Sequence, residues 1–146
     1  HFLKFAGMDQ HLNMFSRKTK NIQLAREIGG EKILNQYFTT LTEAVEYLPG
    51  TMLCHLDGAL RFLPEVKLTE SHYVLIDNLL QIVRKKKLAV EINSSGFTIR
   101  KEQFPNRRII AMAKSYHIPF VFSSDAHKPE DVVRDFDSIC QLLSFQ

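Results

Sequence analysis

Two periodicities alternate along the chain. Within residues 31–48, Leu34, Tyr37, Phe38, Leu41, Val45 and Leu48 recur at intervals of three and four, the spacing of one face of an amphipathic helix. Pro49-Gly50 stops the run, and residues 51–54 form a short apolar strand ending at His55-Leu56-Asp57. Residues 70–86 repeat the helical spacing through Tyr73, Ile76, Leu79, Leu80 and Val83, and residues 88–93 return as a strand. Residues 94–105 read as a loop, with turn formers at its start and Pro105 at its end. Asn106 suits the cap of a helix through Ile109, Ile110 and Ala113. Residues 118–122, with Pro119 at the entrance, suit a strand covered on both faces. Val132, Phe136, Ile139 and Leu143 mark a final helix preceded by Pro129 and Glu130. Phe2-Leu3-Lys4-Phe5 reads as the last residues of a first strand. Helices of this length between short apolar strands require crossovers and parallel pairing, so the predicted class is α/β, one domain over residues 1–146.

Composition narrows the picture by exclusion. The chain has 146 residues, 45% hydrophobic and 24% charged, with a formal net charge of +3. Those values describe an ordinary globular domain with enough apolar residues for a core. The charge is too small to argue for nucleic acid, and Arg17-Lys18-Thr19-Lys20, Arg84-Lys85-Lys86-Lys87 and Arg107-Arg108 lack the aromatic partners of a nucleic-acid module. The second cluster reads as a solvated helix terminus that complements the macrodipole. No apolar run approaches the roughly 20 residues of a spanning helix, so no membrane partner is expected. Cys54 and Cys140 are too few and too far apart for a disulfide framework or a cysteine zinc site, which fits a reduced, cytoplasmic setting.

The candidate chemistry collects where strands end. Asp125 and His127 follow the strand through Phe122, and an oxygen and an imidazole donor at that spacing can share a pocket. The same two residues also suit a helix cap and a solvated loop position, and taken alone they leave both readings open. His55 and Asp57 leave an earlier strand, Glu91 and Asn93 end another, and His1 follows the place of a strand not in the chain. Exits of parallel strands lie on one rim, where residues distant in sequence can meet.

The set His1-Phe2-Leu3, His55-Leu56-Asp57, Glu91-Ile92-Asn93-Ser94-Ser95-Gly96 and Ser124-Asp125-Ala126-His127-Lys128-Pro129-Glu130-Asp131-Val132 resembles, in order, the polymerase and histidinol phosphatase (PHP) superfamily, in particular its histidinol-phosphatase branch. The resemblance implies the C-terminal part of a distorted (β/α)7 barrel that holds up to three divalent metals, zinc, manganese or iron, and hydrolyses a small phosphorylated substrate. By that resemblance His1 and His55 bind one metal, Asp125 a second and His127 a third, so that Asp125 and His127 carry the catalytic centre. Asp57 is expected behind the ligands, as an acceptor fixing an imidazole tautomer. Clustered dications would supply hydroxide from bound water near neutral pH, so no protein nucleophile is required.

Arg61 matches an arginine-rich stretch of the family, with Leu60 where a second arginine is common, and Arg100 stands two residues late, after Gly96-Phe97-Thr98. Both are expected to bind substrate phosphate. Phe104-Pro105-Asn106 stands for the usual Tyr-Pro-Ser. His11 and His72 are expected on the surface or in a substrate loop, and His117 at the wrong rim. The family's amino-terminal His-x-His part, two further histidines and a bridging glutamate have no counterpart here. The expectation is therefore a segment of a longer protein: the parent a phosphatase, most simply of L-histidinol phosphate in histidine biosynthesis, and the segment alone nearly inactive. The alternatives are a phosphatase of another small phosphomonoester or nucleotide, and a non-catalytic barrel fragment.

Overall fold

A computed structural model describes residues 7–8, 18–61 and 65–144. His1, His11 and the strand expected at residues 2–5 lie outside the described residues. Strand β1 (Gly7–Met8) is followed by helices α1 (Thr19–Ile28) and α2 (Gly30–Tyr47), strand β2 (Met52–Leu53) and a 3-10 turn at Gly58–Leu60. Helix α3 (Glu70–Lys85), strand β3 (Ala89–Asn93), helices α4 (Ser95–Arg100) and α5 (Arg107–Ser115), strand β4 (Phe120–Ser123), a 3-10 turn at Pro129–Asp131 and helix α6 (Phe136–Ser144) complete the order. The class is α/β as predicted. The four strands pair in the order β1-β2-β3-β4, every pair parallel.

The helical spacing turns into packing without adjustment. Helix α2 buries Leu34, Tyr37, Phe38, Leu41 and Val45, and α3 buries Ile76, Leu79, Leu80 and Val83. These two stripes, with Ile109 and Ala113 of α5, close over Leu53 and Val90 to make the main core. A second cluster joins Ile92, Ile110 and Ile139 to Phe122 and Phe136, whose rings meet edge to face at 6.1 Å.

Register decides what the other sheet face carries. Val90 and Ile92 pair with Phe120 and Phe122 on the helix side, so Glu91, Asn93, Val121 and Ser123 share the opposite face. Val121 there is 36% exposed. The expectation that residues 118–122 are covered on both faces is corrected: helices cover one face, and the other presents Glu91 and Ser123.

Three elements differ from the pattern reading. Helix α1 was not predicted, because only Ala25 of it is buried; it leans on Ile33 across Gly29, whose φ of 92° turns the chain between α1 and α2. Helix α4 lies inside the expected loop. Helix α6 begins at Phe136, several residues late, since Val133 and Asp135 both take positive φ and interrupt the run.

Helix α4 depends on a close approach. A Cβ on Gly96 would clash with the Glu102 carbonyl oxygen and stand 2.9 Å from the Gln103 carbonyl carbon. The strand of chain it would displace is pinned, since Phe104 exchanges backbone hydrogen bonds of 2.7 and 3.0 Å with Asn93. Gly96→Ala is expected to lower stability by about 2 kcal/mol through this overpacking, measured by chemical denaturation; an unchanged midpoint would show that residues 102–104 move freely.

The basic cluster at the end of α3 does more than face water. The Lys86 ammonium donates to the carbonyls of Val45, Glu46 and Leu48 at 2.7, 3.0 and 3.0 Å, closing the C-terminus of α2. Lys86→Met is expected to cost about 1 kcal/mol, read as a lower urea midpoint at constant slope. His72 is likewise not a surface residue. It is 1% exposed, and its Nδ1 accepts from the Thr69 amide at 2.9 Å, closing the first turn of α3.

Candidate metal site at the strand ends

A single carboxylate joins the exits of three strands. Glu91, 7% exposed in the middle of β3, accepts the His55 amide at Oε2 (2.8 Å). Its Oε1 accepts the Ser123 hydroxyl (2.5 Å) and the Asn93 side-chain amide (3.3 Å). The His55 Nε2 stands 3.8 Å from Glu91 Oε2. His55 is held from a second side, because its carbonyl accepts the Tyr37 hydroxyl and the Gly58 amide, each at 2.7 Å.

His55 and Asp125 occupy equivalent places. Each lies two residues beyond its strand, β2 or β4, and each takes the left-handed conformation, with φ of 49° and 50°. Such backbone strain in non-glycine residues persists where surrounding contacts over-determine it, and it collects at functional sites. Asp125 Oδ2 accepts from Arg61 Nη1 at 3.1 Å, so Arg61 reaches the same rim. The His127 ring lies 2.8 Å from the Asp125 carbonyl through Nδ1, with its side chain 81% exposed.

The remaining predicted residues go elsewhere. Among the described residues no imidazole bonds to Asp57; its Oδ2 accepts the Asn106 amide at 2.9 Å, ahead of α5, where Asn106 Oδ1 in turn caps the Ile109 amide at 3.1 Å. The turn after His55 carries Asp57 away from the strand-end group and into a cleft that also holds Arg100. Arg61 and Arg100 thus lie in different places. Burial pushes the Asp57 carboxyl from 3.8 up to about 7, with the Asn106 amide opposing that rise. His117 falls between α5 and β4, at the entrance of the strand, as expected. Glu91 figures in the sequence only as a polar residue at a strand end and in the family pattern, with no ligand or tethering role, and Ser123 has none. The signal for Glu91 was present, as the one charged residue in an otherwise apolar run at the centre of a buried strand.

The donor types fit a divalent cation. Imidazole with carboxylate suits zinc, iron and manganese alike. Among the described residues no three His, Cys, Asp or Glu side chains gather closely enough to hold a metal by themselves.

Two comparisons with known proteins bear on this region. Residues 103–134, from the loop before α5 through Asp125 and His127, match the PHP-associated family. The chain also shares its fold with the crystal structure of a protein provisionally named histidinol phosphatase HisK, from Listeria monocytogenes, with a TM-score of 0.74 and 18% sequence identity. That likeness covers 86% of this chain and 52% of the Listeria protein, so the chain spans about half its length. No curated protein sequence matches. The family match relates residues 103–134 to the PHP-associated family, and the Listeria structure adds a likeness of fold. Among the described residues no helix is long and apolar enough to cross a membrane.

Proposed function

We propose that the chain forms part of a metal-dependent phosphomonoester hydrolase built on a distorted (β/α)7 barrel, with L-histidinol phosphate as substrate in the cytoplasm. The observation that carries this reading is the tie between strand exits, where Glu91 binds both the His55 amide and the Ser123 hydroxyl two residues before Asp125. The PHP-associated segment at residues 103–134 supports it, since that segment contains Asp125 and His127. His55, Asp125 and His127 are the described residues that would hold dications, with His1 outside them. Bound dications would supply hydroxide at neutral pH and neutralise phosphate oxygens. The chain's own part is to fix imidazole and carboxylate donors on strained but tethered backbone, and to present a guanidinium at the same rim for the phosphate.

Titration with zinc and manganese, followed by phosphate release from L-histidinol phosphate and from a panel of sugar and nucleoside phosphates, tests the reading. Metal binding that is lost in His55→Ala, with release favouring the amino-alcohol phosphate, supports it. Absence of metal binding favours a non-catalytic barrel portion, and tight three-metal binding with rapid turnover by this chain alone would overturn the view that its ligand set is incomplete. Arg61→Ala is expected to raise KM for the phosphomonoester about tenfold by removing a charge-assisted contact. An unchanged KM takes Arg61 out of the phosphate site.

A further inference from the structure

A second site lies apart from the strand-end group. Between the β2 exit and the chain after α4 is a cleft of 310 Å³, lined among others by Asp57, Lys67, Tyr73, Arg100, Glu102 and Phe104. None of His55, Glu91, Ser123 or Asp125 lines it. Asp57 is its buried end, 2% exposed, and while Oδ2 takes the Asn106 amide, Oδ1 is buried without a hydrogen-bond partner among the described residues. A buried carboxylate oxygen left in that state is unfavourable until a donor arrives. An incoming N–H group supplies one.

The other charges select the donor. Two acids and two bases line the cleft, so a polyanion meets Asp57 and Glu102, whereas a bare cation meets Lys67 and Arg100. A molecule carrying one charge of each sign is complementary to both pairs. Its body has an apolar wall, because Phe104 is 3% exposed and the Tyr73 ring is held in place by Arg108, stacked at 3.7 Å and fixed by two 2.6 Å bonds to Glu70. The volume sits at the small end of ligand pockets, which run from about 300 to 1,000 Å³.

We propose that this cleft binds a free amino acid with an apolar side chain, its ammonium on Asp57 Oδ1, its carboxylate at Lys67 and Arg100, and its side chain against Phe104 and Tyr73. The site does not depend on the phosphatase reading. It needs neither metal nor turnover.

The Asn106 amide, bonded to Asp57, is a built-in reporter for NMR titration of the nitrogen-15 labelled protein. Three probes differ only in charge: L-phenylalanine, phenethylamine without the carboxylate, and hydrocinnamate without the ammonium. L-Phenylalanine is expected to move the Asn106 resonance saturably and to bind about tenfold more tightly than either single-charge probe. Asp57→Asn should abolish that shift. Lys67→Met, at an exposed position that leaves the core intact, should weaken L-phenylalanine about fivefold and leave phenethylamine unchanged. No saturable shift at concentrations on the order of 10 mM would overturn the proposal, as would hydrocinnamate binding as tightly as the amino acid, or indifference of the Lys67 variant.

Discussion

Replacing Glu91 by alanine is expected to lower the unfolding free energy by about 4 kcal/mol, because three donors lose their acceptor at once. The His55 amide, the Ser123 hydroxyl and the Asn93 side-chain amide all end on this carboxylate. Each sits in a part-buried or buried setting where water replaces the lost bond only partly, and an unpaired donor there costs about 1–3 kcal/mol. The loss also releases His55 from its left-handed backbone, so the β2 exit should relax toward an ordinary conformation. Glu91→Gln keeps the volume and one acceptor oxygen, and should lose less than half as much. Urea denaturation at neutral pH measures both. A loss below about 1 kcal/mol for the alanine variant would mean that water takes the place of the carboxylate and that Glu91 does not hold the strand exits together.

Asp57→Asn is expected to act in the opposite direction and to depend on pH. The unfolded carboxyl ionises near 3.8, whereas burial holds the folded one protonated up to about 7. Between those values the folded state binds more protons, so stability is greatest below pH 3.8, falls as pH rises, and levels off above about 7. The full difference corresponds to about 4 kcal/mol. An asparagine keeps an acceptor for the Asn106 amide and has no charge to desolvate. The variant should therefore lack this fall across the window and exceed the parent in stability at mildly alkaline pH. Denaturation midpoints taken across the range decide it: parallel profiles for the two proteins would mean that Asp57 ionises normally in the fold.

Much of the framework was legible. Helices α2, α3 and α5 fall within a residue or two of the predicted spans, since each carries an apolar stripe at helical spacing that the core later buries. Helix α1 was missed because its buried surface is small, and α4 because Ser94, Ser95 and Gly96 resemble a turn; Gly96 is there for close approach and not for a bend. His72 was misplaced for a related reason. An imidazole on a helix looks solvated until its use as an acceptor for the Thr69 amide is seen.

The sequence by itself determined the α/β class and the placing of polar candidates at strand ends, because both follow from local periodicity and from the polar residues that close each apolar run. It also marked His55 and Asp125 as candidates, by type and position. Tertiary structure decided which of the candidates meet. Register placed Glu91 and Ser123 side by side, a contact 32 residues apart in the chain, and brought Arg61 to Asp125 across 64. It also sent Asp57 and Arg100 to a separate cleft, although Asp57 stands only two positions from His55. Spacing along a chain fixes which face of an element a residue takes. Which element lies opposite depends on pairing and packing between distant segments, and no local pattern encodes that.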